Sequence, residues 1–223
     1  NAAEKVLIGV EGHCAQMKVS LISVIVFGSY VKGGADNASD VDMIFIVDNF
    51  TSDHHILKLR SYLYSLERTI SIRGNNIGRS SKFIEKLDRI GAQYKSMFVC
   101  REDEFLQGKV DKIFSSTSKL DSAILDNKYL ANDIGYKNIL LTARTLRGHD
   151  LISALSIKLK PISRRDVIKS RLMYTMLSCF AIIVYPFSPN ATKYSMSAVK
   201  RAMHSCFFVN EGKSANLQEE IEY

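Results

Sequence analysis

The sequence predicts an α+β fold, a mixed sheet flanked by helices and followed by a mainly helical region. Three observations carry that expectation. Leu21–Phe27 and Asp42–Val47 are short apolar runs rich in β-branched residues, which read as buried strands. Ile56, Leu59, Leu63, Leu66 and Ile70 recur at threes and fours, the period of a helix with one apolar face. From Val110 onward the pattern turns helical. The expected division is therefore a domain over residues 1–112 and a helical domain over residues 113–223.

Composition narrows the class. With 46% hydrophobic residues the chain has enough apolar surface to bury a core, which excludes general disorder. A formal net charge of +7 favours anionic partners without choosing among nucleotides, nucleic acid and phosphorylated acceptors. Cys14, Cys100, Cys179 and Cys206 are scattered, with no Cys-x-x-Cys pair. That argues against a zinc site or a disulfide framework and fits a reducing, cytoplasmic setting. The first 20 residues hold no basic start followed by an apolar stretch, so no secretory leader is expected there. Leu172 to Phe187 is too short for a membrane span and reads as a buried helix, so no membrane partner is expected.

The first strand run stops abruptly at Gly28-Ser29, and the second is entered through Ser39-Asp40-Val41. Strand side chains alternate faces, so Asp40 and Asp42 project from one side, roughly 7 Å apart at their bases. If the two strands pair antiparallel, Gly28 and Ser29 lie beside the two carboxylates. Gly28 lets a ligand approach the backbone closely, while Ser29 and the N–H groups of a strand-to-helix turn suit an anion. Paired carboxylates repel and lose hydration in a core, and a bound Mg²⁺, which prefers oxygen ligands, resolves that conflict.

The remaining elements follow in order. Lys32, Gly33 and Gly34 lie in the next loop, where Lys32 could reach a triphosphate or stand solvated. Thr51, Ser52 or Asp53 can cap the helix of residues 56–70, which should cover one face of the sheet. His54 and His55 diverge at its start and read as surface residues. Ser71 to Ser81 is a loop in which Arg73 and Arg79 could clamp phosphates or stay in a polar connection. A short helix from about Lys82 to Ile90 and a strand from Gln93 to Arg101 come next. Lys158 to Arg171 holds six basic residues against Asp166, with helical spacing after Pro161-Ile162-Ser163; it could guide a polyanionic acceptor or form a solvated face. His149 and His204 stand alone. Met196, Val199, Met203 and Phe207 form a helical stripe suited to core or subunit contact. The polar tail after Asn210-Glu211-Gly212 should fray.

Val26-Phe27-Gly28-Ser29-Tyr30-Val31-Lys32-Gly33-Gly34, followed by Ala38-Ser39-Asp40-Val41-Asp42-Met43-Ile44, resembles the signature of polymerase-β-type nucleotidyltransferases. The resemblance covers about 30 residues. It implies a polymerase-β-like core and Mg²⁺-dependent transfer of a nucleoside monophosphate from an NTP, with ATP the expected donor, to a hydroxyl acceptor, releasing pyrophosphate. Asp40 and Asp42 would be catalytic and hold the metal. Gly28, Ser29, Lys32 and Ser39 would bind the nucleotide. The resemblance also calls for a third carboxylate on a neighbouring strand, yet Ser96-Met97-Phe98-Val99-Cys100 offers none. Glu102 is the expected substitute, ahead of Asp103 and Glu104, unless all three simply open a helix. Ile139 to Leu151 is similar to the segment closing many small nucleotidyltransferase domains, where Leu-x-Gly-x-Asp/Glu-Leu recurs. The acceptor is open among a small molecule, an RNA end and a protein hydroxyl. A catalytically weak nucleotide-binding module and an antitoxin-like transferase modifying a small protein partner are the alternatives, and a homo-oligomer is compatible with any of them.

Overall fold

Leu21–Phe27 and Asp42–Val47 are strands β1 and β2 of the computed structural model, which describes residues 2–28, 31, 42–70, 96–114, 133–156, 162–186, 191–213 and 221–222. Both runs are apolar on alternate sides because both faces of the sheet are covered, and nearly every residue in them is buried. They pair antiparallel, Phe27 opposite Asp42 and Ile25 opposite Ile44. Strand β3, Met97–Arg101, runs parallel to β2, and β4, Arg144–Gly148, runs antiparallel to β1. The order across the sheet is β3-β2-β1-β4. The α+β expectation, a mixed sheet with flanking helices and a helical C-terminal region, is met.

Two helices cover one face. The first, α1 over Ala2–Gln16, precedes the sheet; α2, Asp53–Ile70, follows β2. Val6, Leu7, Val10 and Cys14 of α1 and Ile56, Leu59 and Leu63 of α2 close on Val24, Met43, Phe45, Val47, Met97 and Val99. Ser52 caps α2, its Oγ accepting from His55 N–H at 3.4 Å, whereas buried Thr51 donates instead to Asp48. Burial raises the Cys14 thiol to about 11 and pushes the Cys100 thiol far up, so both stay protonated at neutral pH.

The chain forms two compact units. One spans Asn1–Gly74, Lys95–Asp126 and Ile139–Lys160 and contains the sheet, with the short helices α3 (Glu102–Leu106), α4 (Val110–Ile113) and α6 (Leu151–Ser156). Helix α5, Asp133–Thr142, leads into β4. The uniformly helical reading after Val110 is corrected here, because Arg144–Gly148 is an edge strand. Gly148 makes that pairing possible. It sits at φ +84°, and a Cβ on it would lie 2.1 Å from the Ile22 carbonyl oxygen. Asp150 then caps α6, its Oδ1 accepting from Ile152 N–H at 3.2 Å and from Thr145 Oγ1 at 3.2 Å. The Leu146-Arg147-Gly148-His149-Asp150-Leu151 segment thus has a structural rationale: close backbone approach, then a cap.

The second unit spans Asn75–Tyr94, Asn127–Asn138 and Pro161–Tyr223. Its described core is a pair of helices, α7 over Arg164–Val184 and α8 over Ala191–Glu211. Ser163 caps α7 through a capping box with Asp166, as Pro161-Ile162-Ser163 suggests. Tyr174 Oη and Ser205 Oγ meet at 2.6 Å between the two helices. In α8, Phe207 is buried and Met203 half-buried, but Met196 and Val199 are exposed, so the expected stripe is core only at its C-terminal end. The buried reading of residues 172–187 also needs correction, since Leu172, Met176, Ile182 and Ile183 of α7 all face outward. Among the described residues, no helix is long and apolar enough to cross a membrane. The loop of residues 71–81, the helix expected over 82–90 and most of the tail after Lys213 lie outside the described residues.

Candidate functional site

The antiparallel pairing of β1 with β2 brings the last residue of one strand beside the first of the other, so Asp42 stands at the mouth of the sheet next to Gly28. The approach is close. Gly28 adopts φ +82°, and a Cβ built on it would lie 2.6 Å from Asp42 Oδ2. Glycine is required twice over, for the backbone angle and for the space that the carboxylate occupies. Beyond it, Val31 N–H donates to the Gly28 carbonyl at 3.2 Å. Two of the expected site residues, Gly28 and Asp42, are thereby placed together. Ser29, Lys32, Ser39 and Asp40 lie outside the described residues.

Glu102 is not brought to this place. Because β3 is parallel to β2, with Met97 opposite Met43 and Arg101 opposite Val47, Ser96 is level with Asp42 and Glu102 is six residues further on. At about 3.3 Å per residue that is roughly 20 Å along the strand. Glu102 opens α3, where Glu102, Asp103 and Glu104 occupy the positive end of the helix. The expectation that it completes a cation site with Asp42 is corrected by the direction of one strand. On the side of β3 that shares a face with Asp42, the residues are Ser96, Phe98 and Cys100. Phe98 packs there against Phe27 and Phe114, ring centroids 6.3 and 4.8 Å away. The wall beside Asp42 is aromatic.

One residue that helps build this end carries no sequence signal. Glu67, in the last turn of α2, accepts through Oε1 from Ser96 N–H at 2.7 Å and from Met97 N–H at 2.8 Å. Met43 N–H in turn donates to the Ser96 carbonyl at 2.7 Å. A single carboxylate therefore anchors the start of β3 against the start of β2. Glutamate in the polar stripe of an amphipathic helix looks like any solvated residue, so only the fold reveals the clamp.

At the opposite end of β3 the charges are matched to one another. Arg101 donates to Asp53 at 2.5 Å, to Glu104 at 3.2 Å and to the Thr51 carbonyl at 2.8 Å. The hydrogen bond from Arg101 holds the Asp53 carboxyl below its usual range. Arg60 donates to the Val99 and Lys112 carbonyls at 3.4 and 3.1 Å, and its burial lowers the guanidinium pKa.

A divalent cation fits the donor chemistry at the Gly28 end: Asp42 supplies a hard carboxylate oxygen at a strand mouth, against a glycine that leaves it room. Among the described residues there is no group of three or more His, Cys, Asp or Glu placed to hold a metal ion. Residues 13–91 match the family model described as "Polymerase beta, Nucleotidyltransferase". No curated protein and no solved structure gave a match to the chain. The matched stretch contains β1, β2 and α2 and ends before β3.

Proposed function

We propose that this chain, whose residues 13–91 match the polymerase-β nucleotidyltransferase family model, moves a nucleoside monophosphate from an NTP to a hydroxyl acceptor. The observation that carries the reading is the 2.6 Å approach of the Asp42 carboxylate to the position of a Gly28 Cβ. It supports a reading in which the acid and the Gly28 turn act as one site. Asp42, with Asp40 two residues before it, would hold Mg²⁺. Bound there, the ion supplies charge neutralisation to the triphosphate. Gly28 and Ser29 would seat the β- and γ-phosphates, with Lys32 and Ser39 as further contacts and ATP the expected donor. The acceptor oxygen forms a bond to the α-phosphorus as the bond from that phosphorus to its bridging oxygen breaks. Pyrophosphate leaves with the bridging oxygen, and the acceptor's proton passes to solvent. The two domains proposed are the transferase core and a helical domain that binds the acceptor.

One observation favours a second reading, a nucleotide-binding module with little turnover: Phe98 and Cys100 on β3, and Ser96 just before it, stand where a third carboxylate would help activate the acceptor. The experiment that separates the two is transfer of label from α-phosphate-labelled ATP into a cell extract, followed by sizing of the product. Transfer that falls at least ~100-fold in Asp42→Asn, with an unchanged melting temperature, supports the transferase. Mg²⁺-dependent ATP binding without a labelled product supports the module. Absence of both overturns each reading.

A further inference from the structure

Strand β3 is an edge of the described sheet, so it pairs with another strand on one side only. Where it begins, the backbone is buried, Ser96 and Met97 being 1% and 4% exposed. A buried N–H without an acceptor is costly, and here a side chain supplies the acceptor. Glu67 Oε1 takes Ser96 N–H at 2.7 Å and Met97 N–H at 2.8 Å. The Ser96 carbonyl passes the restraint on, accepting from Met43 N–H at 2.7 Å. Met43 follows Asp42 directly, so a short chain of hydrogen bonds leads from the Glu67 carboxylate to the backbone that carries the candidate cation ligand. On its other side Asp42 is level with Phe27, and its carboxylate lies against Gly28.

The path of the chain gives that contact a task. The backbone leaves the sheet unit after Gly74, contributes residues 75–94 to the helical unit and re-enters at Lys95. Ser96 is the second residue back. Glu67, at the close of α2, is a fixed point on the sheet's own side of that excursion. We propose that Glu67 is a positioning residue of the candidate site: its carboxylate sets where β3 begins and, through Ser96 and Met43, the backbone from which Asp42 would reach a divalent cation. The role toward the cation rests on the nucleotide-transfer reading; the hydrogen-bonded path does not. Helix α2 covers the face of the sheet that holds Met43, and Asp42 projects from the opposite face. Glu67 therefore acts through backbone and not as a ligand. Mg²⁺ accepts little departure from octahedral geometry at about 2.0–2.1 Å, so a shift of Asp42 too small to unfold the sheet weakens its hold on the ion.

The full-length chain tests this in four forms: wild type, Glu67→Ala, Glu67→Gln and Glu67→Asp, each at a temperature where far-ultraviolet dichroism shows it folded. Two quantities are read. One is amide hydrogen exchange at Met43 in the metal-free protein; the other is the Mg²⁺ concentration that gives half-maximal ATP binding in calorimetry. In Glu67→Ala, exchange at Met43 should quicken about 10-fold or more, and the Mg²⁺ requirement should rise about 10–100-fold with the number of ATP sites unchanged at saturating Mg²⁺. Glu67→Gln keeps an oxygen in place and should stay within about threefold of the wild type in both. Glu67→Asp keeps the charge but is one methylene shorter, so it should follow alanine, and it carries the test should the alanine variant fail to fold. A merely structural glutamate would lower the number of ATP sites and leave the Mg²⁺ requirement where it was, which overturns the proposal. Unchanged exchange at Met43 in Glu67→Ala overturns it equally. Glutamine as damaging as alanine would assign the effect to charge and overturn the hydrogen-bonded path. A wild type that binds no ATP at any Mg²⁺ concentration overturns the nucleotide reading and the role toward the cation built on it. That result is distinct from a failure at Met43, which is read without metal or nucleotide.

Discussion

The two ends of the four-stranded sheet are closed by different physical means. At the end where β3 leaves the sheet, carboxylates meet guanidinium: Arg101 holds Asp53 and Glu104, and it also binds the Thr51 carbonyl. On the same end, Gly148 lets β4 press against the Ile22 carbonyl and Asp150 caps the following helix. These contacts tie separate stretches of the chain together at that end. At the other end, carboxylates meet backbone. Glu67 takes two amide hydrogens, and Asp42 lies against a glycine held at a left-handed backbone angle, in the space a side chain there would need. The difference lies in the partners: at one end carboxylates pair with a guanidinium, whereas at the other Glu67 binds two backbone amides and Asp42 lies against Gly28, the end that carries the candidate site.

The comparison breaks most sharply on two glycine-to-alanine changes. Gly148→Ala places a methyl 2.1 Å from a carbonyl oxygen at a left-handed backbone angle. We expect a loss of more than about 3 kcal/mol, read by denaturant melts. Gly28→Ala has the same backbone conflict, but the obstacle is the end of a side chain that can swing aside. Its stability cost should be smaller, roughly 1–2 kcal/mol. Its functional cost should be larger, a fall of about 100-fold in ATP binding or transfer as the Asp42 carboxylate is displaced. Equal losses of stability in the two variants, with nucleotide binding intact in Gly28→Ala, would erase the distinction.

Much of this is legible in the chain itself, and what is not has a separate physical cause in each case. The bounds of β1 and β2 follow from runs buried on both faces, and the Gly28–Asp42 contact follows from their antiparallel pairing. The apolar period of α2 gave its buried side. By contrast, β4 is an exposed edge strand of sequence Arg-Thr-Leu-Arg-Gly, with no apolar alternation to announce it. Helix α1 has only a weak apolar side to announce it. Glu102 lies at the far end of β3 from Asp42 because β3 runs parallel to β2, and a strand's local sequence does not encode whether its neighbour runs with it or against it. Register and direction are decided by the connection and by packing, and in β3 they move a carboxylate by the length of the strand.

Glu67 sharpens the comparison from the functional end. Removing its side chain in Glu67→Ala strips the Ser96 and Met97 amides of their acceptor, at a cost of roughly 2–3 kcal/mol. Glu67→Gln keeps a carbonyl oxygen in the same place and should recover most of that loss, leaving a deficit of about 1 kcal/mol. Full loss in both variants would mean that the negative charge, rather than the hydrogen-bond geometry, anchors the start of β3.

The smallest expected effect lies at the arginine-paired end and depends on pH. The hydrogen bond from Arg101 lowers the folded-state pKa of Asp53 below its unfolded value, so folding is favoured while the group is ionised. That contribution is present above about pH 4 and fades as the pH falls through the lowered pKa of the folded state. Asp53→Asn removes it. The wild type should therefore be slightly the more stable at pH 7, and the two melting curves should converge toward pH 2. Because the Asp53 side chain is 90% exposed, 1 M salt should narrow the gap at pH 7 as well. ATP binding should be the same in both proteins at neutral pH, since this carboxylate stands at the end of the sheet away from Gly28. A gap that widens on acidification would mean that the pairing with Arg101 does not stabilise the ionised form.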